Sequence, residues 1–250
     1  MLSKLNISNT PIEYNYLGDH AIVLSIAADI SAESLLIIKK ITAACYQLKD
    51  KQNWIKDIIP AYQTITIVYD VYLFYQSEKT APLLFLKEIL PLYIETTNNQ
   101  WEENDRNKIL KVPVCYDAQF GIDLGAMAAL TKQSIEAIIE FHSNEMYTVY
   151  CIGFMPGFAY MGNVPAAIQA PRHASPRPKV VAGSVGIAGP QTGIYPMDSP
   201  GGWQIIGRTP ITIFDPAPSK LALFKVGDQV QFYPISIDEF ESLKAVNRQA

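Results

Sequence analysis

Hydrophobic and polar residues alternate near the start of the chain in a way that predicts strands followed by a helix. Residues 12–26 hold two short alternating apolar stretches on either side of a turn at residues 17–20, which is typical of a β-hairpin. Ser31 is a suitable N-cap residue, and apolar residues at three- and four-residue spacing follow it. This spacing predicts a helix that ends near Asp50.

Two more strands and a second helix are predicted next. Residues 54–60 and 64–69 are rich in β-branched residues and alternate in polarity, and residues 80–96 have a helical pattern that Pro91 should bend or break. The resulting order, ββαββα, suits a small antiparallel sheet with its helices on one face. The first part of the chain is therefore predicted to be an α+β domain.

A polar and charged segment, residues 98–108, separates this part from the rest and is the best candidate for a domain boundary. It predicts two domains, residues 1–98 and 109–250. In the second domain the pattern predicts a strand at 109–115, a short helix at 123–130 and a capped amphipathic helix at 131–142. The last of these places Ile135, Ile138, Ile139 and His142 on one face.

Beyond residue 146 the pattern changes to short β-rich stretches separated by glycine and proline, which is the signature of a barrel or a sandwich. The predicted strands are residues 147–152, 180–188, 203–208, 211–214 and 229–232.

Composition excludes several classes of function. The formal net charge is −4 and no lysine- or arginine-rich block occurs, so a nucleic-acid-binding role is not expected. The N-terminus lacks an apolar signal core, and charged residues and a proline interrupt the apolar stretch at residues 82–94, so we expect a soluble cytoplasmic protein. The three cysteines are far apart, which argues against disulfides and structural zinc.

Glycine and proline are concentrated in one run. Ten of the fourteen glycines and nine of the seventeen prolines lie between residues 153 and 210. Disordered Gly/Pro linkers lack large apolar residues, whereas this run interleaves several. We therefore expect loops of fixed shape whose large side chains are buried or form a pocket. These side chains are Phe154, Phe158, Tyr160, Tyr195, Trp203, Ile205 and Ile206.

The charges of this run are mostly positive. Asp198 is the only carboxylate between residues 153 and 207, whereas Arg172, Arg177 and Lys179 lie within the run and Arg208 follows directly. Guanidinium groups match carboxylate and phosphate oxygens, so an anionic ligand is predicted. The alternative is that the arginines bind backbone carbonyls of the surrounding loops. An intramolecular ion pair for Arg172 or Arg177 is not expected from the local sequence.

Residues 183–189 and 199–202 could each present consecutive backbone N–H groups as an anion-binding nest. Neither stretch matches GxxxxGK[ST] or GxGxxG, so no standard nucleotide-binding loop is indicated. Gln191, Thr192 and Tyr195 would add neutral polar groups that orient a small substrate.

His142 leaves three interpretations open: a structural histidine, a cation at a helix C-terminus, or a general base near the pocket. A nucleophilic pair with Cys151 has no ordering motif to support it. The other two histidines, His20 and His173, show no ligand spacing, so no metal site is predicted.

The motifs GFMPGFAYMG (153–162), PR…PR (171–177), VVAGSVGIAGPQTGIYP (180–196) and SPGGWQIIGRTP (199–210) resemble the hallmark of the allophanate hydrolase subunit 1 family. The resemblance extends upstream through residues 17–26, 59–70 and 112–124 and covers nearly the whole chain. The chain departs from the family pattern at residues 116–118 and 121–124, where relatives usually carry YGG and GPDL, and this difference could alter the fit to a partner.

The resemblance implies a ferredoxin-like N-terminal domain and a cyclophilin-like β-barrel. It also implies one subunit of an ATP-dependent 5-oxoprolinase, inactive alone, that converts 5-oxoproline to L-glutamate with subunits C and A. ATP, with Mg²⁺, would lie on or be shared with a partner subunit. The alternatives are an inhibitor of histidine-kinase autophosphorylation and a subunit of an allophanate or urea amide hydrolase.

The residues and the resemblance together give one candidate site. The candidate catalytic residues are His142, Arg172 and Arg177. The candidate substrate-binding residues are Phe154, Pro156, Gly157, Phe158, Gly183, Ser184, Gln191, Thr192, Tyr195, Gly201, Gly202 and Trp203.

Overall fold

The computed structural model describes residues 11–27, 29–97, 109–217 and 222–247. The chain divides into two compact units, residues 1–106 and 107–250. The predicted boundary segment, residues 98–108, lies outside the described residues.

The N-terminal unit contains a four-stranded antiparallel sheet in the order β1-β2-β4-β3. The predicted hairpin, both further strands and both helices are confirmed, and one short helix, α2, was not predicted. The elements are β1 (Ile12–Tyr16), β2 (Ala21–Ile26), α1 (Ala32–Lys49), β3 (Ile55–Pro60), β4 (Thr64–Tyr69), α2 (Val71–Ser77) and α3 (Pro82–Thr96).

The helix ends of this unit follow the local sequence. Ser31 caps α1 by accepting the Ser34 N–H at 3.1 Å, and Asp70 caps α2 by accepting the Leu73 N–H at 3.0 Å. Helix α3 continues past Pro91, so the predicted break does not occur. Proline removes one helical N–H, but the carbonyl left without a donor belongs to Lys87, an exposed residue that water can solvate.

Alternation along the central strands sets the core of the N-terminal unit. Ile22 and Leu24 of β2 lie on the same buried face as Ile65 and Ile67 of β4. Apolar residues of α1 and α3 pack with them in one cluster. This packing is the amphipathic pattern that the sequence predicted.

The C-terminal unit is dominated by a seven-stranded sheet in the order β12-β9-β10-β7-β6-β13-β5. Strands β8 and β11 form a separate two-stranded sheet. The elements are β5 (Ile109–Val114), α4 (Leu124–Thr131), α5 (Ile135–Asn144), β6 (Met146–Ile152), β7 (Ala159–Gly162), a 3-10 helix (Ala166–Ile168), β8 (Arg177–Val180), β9 (Ser184–Ala188), β10 (Gln191–Ile194), β11 (Ser199–Gly201), β12 (Gln204–Arg208), β13 (Gln229–Pro234) and α6 (Ile237–Asn247).

The large sheet curls until its two ends meet. Cys115 and Arg208 form an antiparallel bridge, with N–H to oxygen distances of 2.9 and 3.0 Å in the two directions. This bridge joins the end of β5 to β12, so the sheet is a nearly closed barrel, as the pattern of short strands predicted. The barrel interior contains Val112, Val149, Ile187, Ile206 and Phe232.

Two predicted strands differ from the structure. The stretch 180–188 is interrupted by a turn at Gly183, whose φ of +83° is a conformation that favours glycine. Residues 211–214, within the described range, form no strand; Phe214 makes only an isolated bridge with Ala222. In the described part of the chain, no helix has the length and apolar character needed to cross a bilayer.

Candidate functional site

His142 is fully buried inside the barrel and is held by a chain of hydrogen bonds. The Thr192 hydroxyl donates to the Gly186 carbonyl at 3.0 Å, so it accepts from His142 Nε2 at 3.0 Å. His142 Nδ1 is then the acceptor for the Tyr116 hydroxyl, 2.7 Å away. The ring also stacks on Phe232 at 4.6 Å. Both ring nitrogens are therefore engaged within the protein.

Burial lowers the pKa of His142 from 6.5 to about 3. A neutral ring cannot serve as the helix C-terminal cation that was one interpretation of this residue. Because neither nitrogen is open to a ligand, the geometry supports the structural interpretation over the general base. His142 is buried because it lies on the inward face of α5, one turn after the buried Ile138.

Four aromatic residues pack on the opposite face of the barrel wall. Phe158 lies edge-on to Tyr195 at 5.5 Å, to Trp203 at 5.4 Å and to Tyr160 at 4.8 Å. We call Phe158, Tyr160, Tyr195 and Trp203 the aromatic group. Gly193 makes room for it, since a Cβ there would lie 3.2 Å from Phe158 and 3.3 Å from Trp203. Gly193 and Thr192 are neighbours on β10, so the aromatic group and His142 lie on different faces.

The loop at residues 153–158 extends the aromatic group toward solvent. Phe154 has a φ of +71°, and its side chain is 64% exposed although the ring lies edge-on to Phe158 at 5.6 Å. Positive φ is uncommon for a residue with a side chain and marks a backbone held by its surroundings. Pro156 is exposed and Gly157 is buried in the same loop. The loop thus presents an aromatic ring at the surface.

Arg172 provides the cation beside the aromatic group. Its guanidinium lies 5.8 Å from the centre of the Trp203 ring, and its side chain is exposed. Among the described residues, no carboxylate forms an ion pair with it. Burial raises the pKa of both Tyr160 and Tyr195, so both phenols are neutral. Phe158, Tyr195 and Trp203 are themselves buried, so the groups that this face presents to a ligand are the Arg172 cation and the exposed Phe154 ring.

Arg177 has a different environment, and the expectation that it lacks an intramolecular acidic partner is wrong. Its guanidinium pairs with the carboxylate of Asp123 and also donates to the Trp203 carbonyl at 3.4 Å. Asp123 lies 54 residues earlier in the chain. A search for acids within the Gly/Pro run could not have found it.

Asp123 is the site residue that sequence reasoning missed. Its side chain is only 6% exposed, and it accepts the Ile205 N–H at 2.6 Å in addition to the Arg177 pair. His173 Nε2 lies 3.5 Å from the same carboxylate, and the backbone N–H of His173 donates to the Gly202 carbonyl at 2.7 Å. Asp123 therefore anchors the loop that carries Arg172. Its one signal in the sequence was its place in the segment that departs from the family pattern.

The predicted anion nest at residues 183–189 is wrong. The Gly183 N–H donates to the Tyr195 carbonyl at 2.7 Å, and the Gly189 N–H donates to the Ala170 carbonyl at 2.7 Å. Residues between them form β9, which pairs with β10 on one side and β12 on the other. In the second candidate nest, Ser199–Gly201 forms β11 and pairs with β8. In the first stretch the glycines let strands and side chains approach closely, and its backbone donors are used in sheets and turns.

The remaining predicted residues separate in the same way. Thr192 belongs to the hydrogen-bond chain of His142, whereas Gly201 contacts the Tyr195 ring and Gly202 contacts the Arg172 loop. Ser184 is the first residue of β9, and Gln191 is the first residue of β10. The structure thus joins Arg172, the aromatic group and the loop at 153–158, and it does not join them to His142.

The carboxyltransferase domain family, subdomains C and D, matches residues 12–224. This chain belongs to that family. The match includes both units, all of the aromatic group and every arginine discussed above. It agrees with the family resemblance that the motifs indicated.

Two relatives match over almost their full length. The B subunit of 5-oxoprolinase from Bacillus subtilis is 37% identical over 231 residues, which cover 91% of this chain and 95% of the relative. The B subunit of 5-oxoprolinase from Escherichia coli O157:H7 is 37% identical, covering 87% and 94%. The solved urea amidolyase of Kluyveromyces lactis has a TM-score of 0.73 and 19% identity, covering 98% of this chain and 16% of the larger one. That likeness shows the fold alone.

Proposed function

We propose that this chain is one subunit of an ATP-dependent 5-oxoprolinase that hydrolyses 5-oxoproline to L-glutamate together with subunits C and A. Similarity over 95% of the length of the Bacillus subtilis 5-oxoprolinase B subunit supports this proposal. It also supports a requirement for partner subunits, because a protein named as one lettered subunit of an enzyme works beside others.

The observation that carries the proposal is the exposed Arg172 guanidinium over Trp203. The substrate 5-oxoproline is a small lactam ring with one carboxylate. Its carboxylate would pair with Arg172 while its ring lies against the exposed Phe154 ring, which the buried aromatic group supports from below. Resonance makes the lactam amide resistant to hydrolysis, and binding alone does not overcome that resistance. This chain would therefore position the lactam, and its cleavage would need the partner subunits.

The stretch at residues 183–189 does not fit a cradle for the ATP phosphates, because its N–H groups are already bonded within β9 and its flanking turns. The described residues also contain no cluster of acidic, histidine or cysteine side chains suited to a metal ion. We therefore assign ATP and its Mg²⁺ to a partner subunit. On this basis the isolated chain has no 5-oxoprolinase activity, and the aromatic group is one half of a shared site.

The finer fold assignments belong to the same proposal. Followed from β2 through α1, β3, β4 and α3 and then back to β1, the N-terminal unit has the order βαββαβ, which supports a ferredoxin-like domain with permuted connections. The nearly closed barrel of the C-terminal unit supports the cyclophilin-like assignment.

The test is reconstitution with co-expressed subunits C and A, followed by measurement of ATP-dependent glutamate release. We expect activity only in the full complex, with 5-oxoproline and not with allophanate. Arg172→Gln should lower turnover by roughly ten- to a hundredfold, the value of one charge-assisted hydrogen bond. Lys111→Gln removes an exposed cation on β5 and is the matched control. Turnover by the chain alone, or equal turnover in both variants, would contradict the proposal.

A further inference from the structure

Arg208 lines two cavities that the proposed activity does not use. The larger, of about 260 Å³, is also lined by Gly183, Thr209, Phe240 and Lys244. The smaller, of about 90 Å³, is also lined by Gln119, Arg177, Lys179 and Ser184. The smaller cavity has space for several water molecules, enough for a tetrahedral oxyanion of five heavy atoms.

All charged side chains among the described lining residues of these cavities are cationic. They are Arg177, Lys179, Arg208 and Lys244. Asp123, Asp198 and Glu241 pair with Arg177, Lys179 and Lys244 respectively, but these carboxylates do not line either cavity. Cations gathered around a partly enclosed space raise the local concentration of anions. The electrostatics of both cavities therefore favour a negatively charged occupant.

Arg208 is the lining cation with no acidic partner within ion-pair distance among the described residues. Its Nε donates to the Ala182 carbonyl at 2.8 Å, and its guanidinium lies 6.0 Å from the centre of the Phe120 ring. Partial burial lowers the pKa of its guanidinium because the charged form loses hydration, and the more distant carboxylates of Asp198 and Glu241 offset this only in part. A bound anion would compensate for that loss.

The position of Arg208 is fixed before any ligand arrives. Its backbone forms both hydrogen bonds of the bridge to Cys115, which closes the barrel. Gly183 lets the backbone of the neighbouring Thr209 approach closely, since a Cβ there would lie 2.5 Å from the Thr209 carbonyl oxygen. A donor held in this way loses little conformational entropy on binding.

We propose that Arg208 is the centre of an oxyanion site that takes a phosphate group in the smaller cavity. Lys179 and the Ser184 hydroxyl lie on the same cavity wall and would bind the remaining oxygens. The site is built from β8, β9, β12 and the segment before α4. It does not include Arg172 or the aromatic group, and its occupation does not depend on the proposed 5-oxoprolinase activity.

The experiment is isothermal titration of the isolated chain with inorganic phosphate, at constant ionic strength maintained with sodium chloride. We expect saturable binding that Arg208→Gln weakens by roughly ten- to a hundredfold, as expected for one charge-assisted hydrogen bond. Arg208→Lys should retain part of the affinity, because it keeps the charge and loses the planar fork. Lys111→Gln removes an exposed cation on β5 that lines neither cavity, and as the control it should bind phosphate like the parent chain.

Since Arg208→Gln also removes the bond to Ala182, circular dichroism must first show that the variant is folded. Ser184→Ala and Lys179→Gln test the same cavity without touching that bond, and each should weaken binding. A parallel titration with ADP distinguishes a free phosphate from the phosphoryl group of a nucleotide. If Arg208→Gln weakens the binding of either inorganic phosphate or ADP, the site is supported. Phosphate binding unchanged in Arg208→Gln, Lys179→Gln and Ser184→Ala would overturn it, as would heats no different from those of a sodium chloride titration.

Discussion

Arg172 lies in a loop and Arg177, five residues later, begins β8, and the structure predicts opposite consequences when each is replaced by glutamine. Arg177→Gln leaves the Asp123 carboxylate, 6% exposed, without its guanidinium partner. Breaking a buried ion pair costs about 3–5 kcal/mol, and we take about 3 kcal/mol because the Arg177 side chain is 27% exposed. For a unit of this size each kcal/mol lowers the melting temperature by about 3 °C, so the expected drop is about 9 °C.

Arg172→Gln removes an exposed cation from the face of Trp203, an interaction of about 0.5–1 kcal/mol. Its melting temperature should fall by only about 1.5–3 °C, while turnover of the reconstituted complex should fall by roughly ten- to a hundredfold. Differential scanning calorimetry of both variants measures the first effect, and glutamate release measures the second.

A double-mutant cycle supplies the control for Arg177. In an Asp123→Asn background the carboxylate charge is already absent, so Arg177→Gln should cost much less than in the parent chain. The reasoning fails if both arginine variants lose the same stability, or if the cost of Arg177→Gln is unchanged by Asp123→Asn.

Two further predictions concern the barrel and the division of the chain. The pKa of His142 falls from 6.5 to about 3 on folding, so between these pH values the unfolded chain binds a proton that the folded chain does not. As the pH is lowered from roughly 6 to 3, the free energy of unfolding should therefore decrease by up to about 1.4 kcal/mol per pH unit. Urea titrations at pH 7, 6, 5 and 4 measure this slope, and an equal slope in a folded His142→Gln chain would contradict it. Limited proteolysis should cut first within residues 98–108 and release two fragments with secondary structure; first cleavage inside either unit would show that the predicted boundary is misplaced.

Local pattern was sufficient for most of the fold. Alternation predicted β1 to β4, and the spacing of Leu35 to Leu48 predicted α1, because burial on one face leaves a period in the sequence. The Gly/Pro run was harder to interpret. Its composition indicates loops, but much of it forms β7 to β12, since several glycines serve close approach between packed elements, as at Gly193.

The candidate site was only partly predictable. The composition of the run predicted that its large side chains are buried or form a pocket, and Phe158, Tyr195 and Trp203 are buried together although they lie far apart in the chain. The separation of His142 from Arg172 depends on which face of β10 each approaches, and sequence spacing across 30 residues does not fix that. The Asp123–Arg177 pair requires two distant segments to meet at β12, so no local count of charges could reveal it.

The position of β13 determines when the barrel can be completed during synthesis. This strand is inserted between β6 and β5, with β5 alongside it in parallel register, although about 75 residues of chain separate β6 from it. Until residues 229–234 have left the ribosome, β5 and β6 each lack a neighbour and expose an unpaired edge. The N-terminal unit needs no such late segment and can fold first. A ribosome stalled just short of β13 would therefore hold a folded N-terminal unit and an open, aggregation-prone sheet, and the last strand to emerge is the one that closes it.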